Sequence, residues 1–145
     1  MLHNVPVAYK GNEPYIFISY AHKDSEIVLP IIMRLQQDGY RVWYDEGIAP
    51  GSSWDVYISE HLDGCSNVIG FLSKAYVKSQ NCRDELALTR LKGKPMNLVY
   101  IDDVQLSSGM KMRYGRIQAL FYQNMTEDDF FDKLYRAEAI ALSKE

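Results

Sequence analysis

Short apolar runs alternate with amphipathic segments along most of the chain. Five runs are rich in β-branched and aromatic residues, and each is short enough to be a buried strand. These runs are 15–20, 40–44, 67–73, 96–101 and 116–122. Between them, apolar residues recur at helical spacing. This alternation predicts an α/β domain in which helices cover both faces of a parallel sheet.

Polar residues and glycines predict where several helices begin and end. Asp24 is the expected N-cap of the first helix, and Gly39 follows its expected end. Pro30 falls inside that segment, so a kink or a late start is expected. A helix that carries Glu85 follows the third strand, and Thr126 opens the last helix.

Length and composition predict a single compact domain. The chain has 145 residues, of which 47% are hydrophobic, and this is enough for one core. Pro6 and Gly11 interrupt any pattern near the start, so residues 1–13 are expected to be a leader or linker and residues 14–143 the domain. The net charge of −3 gives no general attraction to nucleic acid or to an anionic membrane.

The cysteines and histidines do not predict a metal site. Cys65 and Cys82 lack the spacing of zinc ligands, and His3, His22 and His61 are scattered. No signal peptide is visible, and no apolar stretch approaches the roughly 18 residues of a membrane span. The expected protein is cytoplasmic, with no metal, no membrane contact and no direct nucleic-acid partner.

The segments after the strands hold the candidate chemistry, because parallel sheets bind ligands beyond the carboxyl ends of their strands. Residues 45–54 and 73–85 carry most of the polar residues there. No GxGxxG or GxxxxGK[ST] motif is present, so a dinucleotide would not be held by a glycine-rich turn. Ser73 lacks the GxSxG setting of a hydrolase nucleophile, and a response-regulator receiver would need an aspartate at that position.

Three segments together resemble a known family. "YIFISYAHKDSE", "GYRVWYDEGIAPGSSW" and "NVIGFLSKAYVKSQNCRDEL" resemble the signature segments of Toll/interleukin-1 receptor (TIR) domains. "PMNLVYIDDVQL" and "RIQALFY" extend the resemblance toward the bacterial branch, over roughly residues 14–140. The resemblance implies an α/β fold, namely a flavodoxin-like three-layer sandwich with a five-stranded parallel sheet.

The resemblance implies one of two functions. Many TIR domains cleave NAD+ to nicotinamide and ADP-ribose or a cyclic ADP-ribose product, in defence or signalling, with NAD+ as substrate and no cofactor. Others are non-catalytic scaffolds, adaptors or virulence modules that bind other TIR domains. They bind through the BB loop after the second strand, here Ile48, Ala49, Pro50 and Gly51. Self-association through such contacts, including filaments, is implied in both cases. A third alternative is an enzyme similar to nucleoside deoxyribosyltransferases, which use a glutamate nucleophile.

Glu85 matches the glutamate of the NAD+-cleaving members. In those members an aromatic residue, usually tryptophan, lies four positions earlier, and here Asn81 occupies that position. Loss of nicotinamide builds positive charge on the ribose, and a carboxylate beside the ring stabilises that charge. The alternative is that Glu85 only stabilises the N-terminus of its helix, where acids interact favourably with the helix dipole.

Three further residues have both a binding and a structural interpretation. Asn81 either recognises the nicotinamide amide or caps a helix. In the functional interpretation Asp45 bonds a ribose hydroxyl or holds the BB loop, and in the structural interpretation it forms a turn. Trp54 either lines the pocket, as the resemblance implies, or packs in the core at a helix start.

The end of the first strand supplies the remaining candidates. Ser19 and Tyr20 are expected to contact substrate, and Tyr20 offers a stacking surface. Some enzymes of the family hold arginine at the next two positions, which here are Ala21 and His22. Backbone N–H groups or His22 are therefore the expected contacts for a pyrophosphate.

Overall fold

The computed structural model describes residues 5–46 and 54–145, and these form one parallel sheet with helices around it. The strands lie in the order β2-β1-β3-β4-β5, and every neighbouring pair is parallel. They are β1 (Ile16–Ser19), β2 (Val42–Tyr44), β3 (Asn67–Leu72), β4 (Met96–Tyr100) and β5 (Ala119–Phe121). The chain runs outward from β1 to β2 and then crosses back to β3, so strand order switches between β1 and β3. The predicted fold class is confirmed.

Helices cover both faces of this sheet. They are α1 (Ser25–Gln37), α2 (Trp54–Gly64), α3 (Lys74–Lys78), α4 (Gln80–Leu91), α5 (Ser108–Tyr114), α6 (Glu127–Tyr135) and α7 (Glu138–Ala141). Every residue of β1, β2 and β3 is buried, as expected for strands covered on both sides. In the described parts of the chain, no helix is both long enough and apolar enough to cross a membrane.

The first helix begins where the sequence predicted, but its cap differs. Asp24 precedes α1, yet its side chain makes no capping hydrogen bond, because it accepts a hydrogen bond from Ser73. Gly39 follows the helix with a φ of 94°, a conformation that glycine adopts readily. The expected late start is wrong, since α1 begins at Ser25 and includes Pro30.

The segment with Glu85 is two helices, where the sequence predicted one. Helix α3 ends at Lys78, and the side chain of Ser79 caps α4 by accepting from the N–H of Cys82 at 3.2 Å. Asn81 therefore lies in the first turn of α4, and its interpretation as an N-cap is wrong. Ser79 takes the capping role because its backbone is extended, as a cap requires.

The second half of the chain also departs from the pattern. Helix α5 between β4 and β5 had not been predicted, and Ser107 caps it by accepting from the Met110 N–H. Thr126 caps α6 as expected, by accepting from the N–H of Asp129 at 3.2 Å. That helix ends at Tyr135, so it is not the last one, and the separate short helix α7 follows it.

Part of the expected leader packs along the outer edge of β2. The N–H of Tyr9 donates to the Val42 carbonyl at 2.8 Å. The N–H of Ala8 donates to Oε2 of Glu46 at 2.5 Å, and Ala8 is buried. Residues 5–9 thus cover the edge strand of the sheet, which would otherwise present unpaired backbone groups.

Gly70, in the middle of β3, leaves space for the residues packed against the strand. A Cβ at this position would lie 3.2 Å from Cδ2 of Leu98 and 3.3 Å from Cδ2 of Leu86. It would also lie 3.6 Å from the hydroxyl oxygen of Tyr76. The missing side chain therefore lets α3 and α4 approach the centre of the sheet closely.

Candidate functional site

A cleft of about 610 Å³ opens beyond the carboxyl end of β1, between Asp45 after β2 and the helices α3 and α4 after β3. It therefore lies at the switch in strand order between β1 and β3, where parallel α/β sheets bind ligands. Its polar and aromatic lining consists of Phe17, Tyr20, His22, Lys23, Asp45, Trp54, Lys78, Ser79, Asn81, Cys82 and Glu85. Most of the predicted catalytic and substrate-binding residues therefore line one cleft.

Glu85 lies in the second turn of α4, next to the face that packs on the sheet through Cys82, Leu86 and Thr89. Its carboxyl group is partly buried, and Oε1 accepts a hydrogen bond from the hydroxyl of Ser19 at 2.6 Å. The pKa of Glu85 is raised from 4.5 to about 8, mainly by burial and against the opposing effect of the Ser19 bond. The negative charges of Asp45 and Asp84 contribute to this rise.

The raised pKa sets the protonation state of the Glu85 carboxyl group near neutral pH. Near neutral pH its carboxyl group is mostly protonated, because burial penalises the charged form. A cation brought beside it lowers the pKa and favours the carboxylate. The ionised group would then act strongly on positive charge, since the partly dry cleft screens it less than water does.

Ser19 lies behind Glu85 and does not line the cleft. Its side chain is fully buried, and its Oγ lies 2.7 Å from the hydroxyl oxygen of Tyr76 as well as 2.6 Å from Glu85. The structure thus replaces the expected substrate contact of Ser19 with an internal one. Tyr76 could not be identified from the sequence, because it lies 57 residues from Ser19 and no local pattern pairs them.

Aromatic and charged groups from the ends of β1 and β2 form one side of the cleft. The rings of Tyr20 and His22 stack with centroids 5.3 Å apart, and burial raises the pKa of Tyr20. Nε2 of His22 lies 3.9 Å from Oδ2 of Asp45. His22 is more than half exposed, so its ring borders the cleft, whereas Tyr20 forms part of its wall.

Trp54 and Asn81 also line the cleft. Trp54 is the first residue of α2 and is partly buried, whereas Asn81 is exposed. The predicted interaction residues of the BB loop, Ile48, Ala49, Pro50 and Gly51, lie outside the described residues. Their role stays a prediction.

Two lysines that the sequence analysis did not select line the same cleft. Lys23 lies in the 3-10 turn His22–Asp24, and Lys78 is the last residue of α3. Both are exposed and available to an anionic ligand. Lys23 lies in the segment after β1, and Lys78 ends the short helix that follows β3, so their position after strand ends is the signal that could have identified them.

A second groove of about 670 Å³ runs along β2 between the N-terminal segment and α2. It shares Asp45 with the first cleft, and its other acids, Glu46 and Glu60, are exposed. The strongly raised carboxyl pKa belongs to Glu85, so the first cleft is the better candidate for chemistry. Within residues 5–46 and 54–145, no group of three or more His, Cys, Asp or Glu is placed to hold a metal ion.

Solved structures with this fold include receptors and an enzyme. The TIR domain of the Toll-related receptor TRR-2 from Hydra magnipapillata is 15% identical, with a TM-score of 0.68 over 83% of this chain and 94% of that chain. A 2-deoxyribosyltransferase from Bacillus psychrosaccharolyticus is 14% identical, with a TM-score of 0.62 over 90% of this chain and 97% of that chain. The TIR domains of the activated Roq1 resistosome, which recognises the pathogen effector XopQ, are 16% identical, with a TM-score of 0.56 over 90% and 84%.

At these identities the structural likeness shows the fold alone. Among curated proteins, none has a sequence significantly similar to this chain. The family model for the TIR domain matches residues 16–135, a range that includes all five strands and Glu85. The chain therefore belongs to the TIR domain family.

Proposed function

We propose that this TIR domain cleaves the nicotinamide–ribose bond of NAD+ and acts in bacterial defence or signalling in the cytoplasm. The observation that supports this most is the environment of Glu85. Its carboxyl group is partly buried, has a pKa raised to about 8, and lies in the cleft at the switch in strand order. Groups with strongly shifted pKa values in clefts of this kind are common at active sites.

The proposed reaction needs one carboxylate. When the glycosidic bond breaks, its electron pair leaves with nicotinamide, which departs neutral and needs no acid. The ribose then carries positive charge, which the Glu85 carboxylate stabilises. Water attacks the ribose carbon and gives its proton to Glu85, yielding ADP-ribose. The raised pKa of Glu85 favours this last transfer. Attack by a nucleophile of the same molecule would instead give a cyclic product.

The charges in the cleft match those of NAD+. Glu85 and Asp45 place negative charge in the cleft for the cationic pyridinium, and Lys23 and Lys78 place positive charge there for the pyrophosphate. Asn81 is an amide partner for the nicotinamide carboxamide. It does not supply the stacking of the tryptophan usual in the family, and Trp54 and Tyr20 provide aromatic surface instead.

Deoxyribosyl transfer is the second candidate activity. The structural likeness to a 2-deoxyribosyltransferase and the presence of a glutamate in the cleft favour it. A deoxynucleoside has no pyrophosphate, however, so this reaction would leave Lys23 and Lys78 without a role. The two lysines therefore favour the dinucleotide as substrate.

The deciding experiment measures NAD+ consumption at high protein concentration, with the products resolved by chromatography. Glu85→Gln should abolish nicotinamide release, whereas Glu127→Gln should not, since Glu127 is an exposed acid in the first turn of α6. Turnover of deoxynucleosides without turnover of NAD+ would assign the second activity. No turnover of either substrate would leave the non-catalytic scaffold or adaptor as the function.

Self-association through the BB loop is part of the same proposal, because contacts between TIR domains are the family's mode of assembly. If assembly completes the cleft, the NAD+ turnover per molecule should rise with protein concentration. Ile48→Asp should then lower both the assembly state and the turnover. Full activity of a monomeric Ile48→Asp protein would separate assembly from catalysis.

A further inference from the structure

We propose that Tyr76 is a positioning residue for Glu85, which it orients through the hydroxyl of Ser19. The proposal extends to the direction of this hydrogen-bond chain, which reverses when the Glu85 carboxyl group gains or loses its proton. Its catalytic meaning rests on the proposed NAD+ cleavage, but the hydrogen bonds themselves do not depend on it.

The chain joins three secondary-structure elements inside the protein. Ser19 ends β1, Tyr76 lies in α3, and Glu85 lies in α4. The oxygen atoms are 2.7 Å apart between Tyr76 and Ser19 and 2.6 Å apart between Ser19 and Glu85. Ser19 and Tyr76 are fully buried, so water does not compete for their hydroxyl groups.

The number of protons fixes the direction of the chain when Glu85 is ionised. A carboxylate only accepts, so the single hydroxyl proton of Ser19 must point to Glu85. The Ser19 oxygen can then only accept in its 2.7 Å contact with Tyr76, which therefore donates. Tyr76 thus strengthens the bond from Ser19 to the carboxylate, because hydrogen bonds in a chain polarise one another.

When the Glu85 carboxyl group is protonated, the hydrogen bonds of the chain can run in the opposite direction. Glu85 can then donate to Ser19, and Ser19 can donate to the oxygen of Tyr76. The Tyr76 hydroxyl has a further acceptor in this case, the backbone carbonyl of Cys82 at 3.3 Å. Both protonation states therefore leave each hydroxyl proton of the chain with a partner, which a buried site requires.

Other charged and titratable groups also act on Glu85. Asp45, from the end of β2, and Asp84, on α4, raise its pKa by their negative charge. Tyr20, from the end of β1, and Cys82 interact with its charge as well, and the pKa values of both are raised. Lys23 and Lys78 line the same cleft. These groups act on Glu85 through space. Burial and then the negative charge of Glu85 raise the pKa of Tyr76, so these two residues also interact through space, but Tyr76 is in addition joined to Glu85 by a continuous chain of hydrogen bonds.

The proposal predicts a shift when only the Tyr76 hydroxyl is removed. In Tyr76→Phe the ionised form of Glu85 loses the polarising donor behind Ser19, so the pKa of Glu85 should rise by roughly half to one unit. In Ser19→Ala the direct bond is lost, and the rise should be larger. Because Tyr76 acts through Ser19, adding Tyr76→Phe to Ser19→Ala should produce no further rise.

The experiment is a ¹³C NMR titration of the glutamate carboxyl groups, with the Glu85 signal assigned by its loss in Glu85→Gln. Tyr15→Phe is the matched control, since it removes a buried hydroxyl that donates to the His61 carbonyl away from Glu85. A Glu85 titration unchanged in folded Tyr76→Phe would overturn the proposal. An equal shift in the Ser19→Ala background would also overturn it. If Tyr76→Phe does not fold, an unchanged titration in Ser19→Ala overturns it instead.

The titration needs no substrate, so it separates the two proposals. A shifted Glu85 titration without any NAD+ turnover would support the hydrogen-bond chain and contradict the enzymatic function. NAD+ turnover with an unshifted titration would support the function and leave Tyr76 as a packing residue. If both proposals hold, the rate of Tyr76→Phe at pH 7 should fall by roughly threefold to tenfold and recover above the shifted pKa.

Discussion

Ser73 and Asp24 are joined by a hydrogen bond of 2.5 Å, in which the serine hydroxyl donates to the carboxylate. The same hydroxyl oxygen accepts from the N–H of Tyr76 at 2.9 Å and so caps α3. Asp24 ends the 3-10 turn that carries His22 and Lys23. The buried Ser73 side chain therefore joins the 3-10 turn that carries His22 and Lys23 to α3, the helix that contains Tyr76.

Ser73→Ala should lower the free energy of unfolding by about 2 kcal/mol, because both a helix cap and a bond to a charged group are lost. Ser107→Ala is the control, since the exposed Ser107 caps α5 and has no carboxylate partner in the hydrogen bonds described. It should cost about 0.5–1 kcal/mol. Urea unfolding measures both values, and equal losses would show that the bond to Asp24 contributes nothing.

The rate of NAD+ cleavage should rise with pH through the pKa of Glu85. Only the ionised carboxyl group stabilises the developing charge, so kcat/KM should increase about tenfold per pH unit below pH 8 and level off above it. The value of about 8 for the free protein sets this midpoint. Initial rates between pH 5.5 and 9.5, corrected for NAD+ decay without enzyme, measure it. A profile that is flat above about pH 6 would contradict the raised pKa.

Glu85→Gln should stabilise the fold in alkaline solution. Between about pH 4.5 and 8, folded Glu85 keeps a proton that the unfolded chain has lost, so its contribution to stability falls as pH rises through this window. The variant should therefore be more stable than the wild type by about 2 to 4 kcal/mol at pH 8 and by about 1 kcal/mol or less at pH 4. Urea unfolding at the two pH values tests this, and a pH-independent difference would refute it.

Lys78→Gln should weaken NAD+ binding without changing the chemical step. Lys78 is exposed, so its interaction with a pyrophosphate is partly screened, and KM should rise about twofold to fivefold with kcat nearly unchanged. The effect should shrink at high salt. Lys111→Gln, on α5 and outside the cleft, removes the same charge as a control. Similar changes in both variants would mean that only net charge matters.

Removal of residues 1–9 should destabilise the domain, because it uncovers the edge of β2 and breaks the bonds to Val42 and Glu46. We expect the melting temperature to fall by roughly 5 °C and self-association to increase, since an exposed edge strand pairs readily. Removal of residues 1–4 leaves these bonds in place and is the control. An unchanged melting temperature in the longer deletion would support a domain that begins at residue 14.

Strands β1, β2 and β3 could be predicted because their residues are buried on both faces and form apolar runs that need no partner to be recognised. The cleft could be located for a related reason, since its residues follow strand ends in the sequence. Glu85, Asp45 and Trp54 come together there as the position of each segment predicted.

The sequence-based predictions failed where residues distant in sequence compete for the same hydrogen-bonding group. Asp24 looks like an N-cap in sequence, but Ser73, 49 residues later, takes its carboxylate. Asn81 and Ser79 are both plausible caps, and the break between α3 and α4 decides in favour of Ser79. Ser19 follows the pattern of a binding residue, yet burial turns its hydroxyl inward to Tyr76. Such choices depend on packing that local patterns do not contain.

Gly70 likewise depends on residues distant in sequence, which limit what the centre of β3 can accept in place of glycine. It is buried, and the space beside it is occupied by the side chains of Leu98 on β4 and Leu86, the residue that follows Glu85. A methyl group added there would press on both leucines, whereas the Tyr76 hydroxyl oxygen would lie at an ordinary contact distance of 3.6 Å. The residue at the centre of β3 therefore limits how closely the helix that carries Glu85 can pack on the sheet, so the interior of the sheet and the position of the acid are not independent.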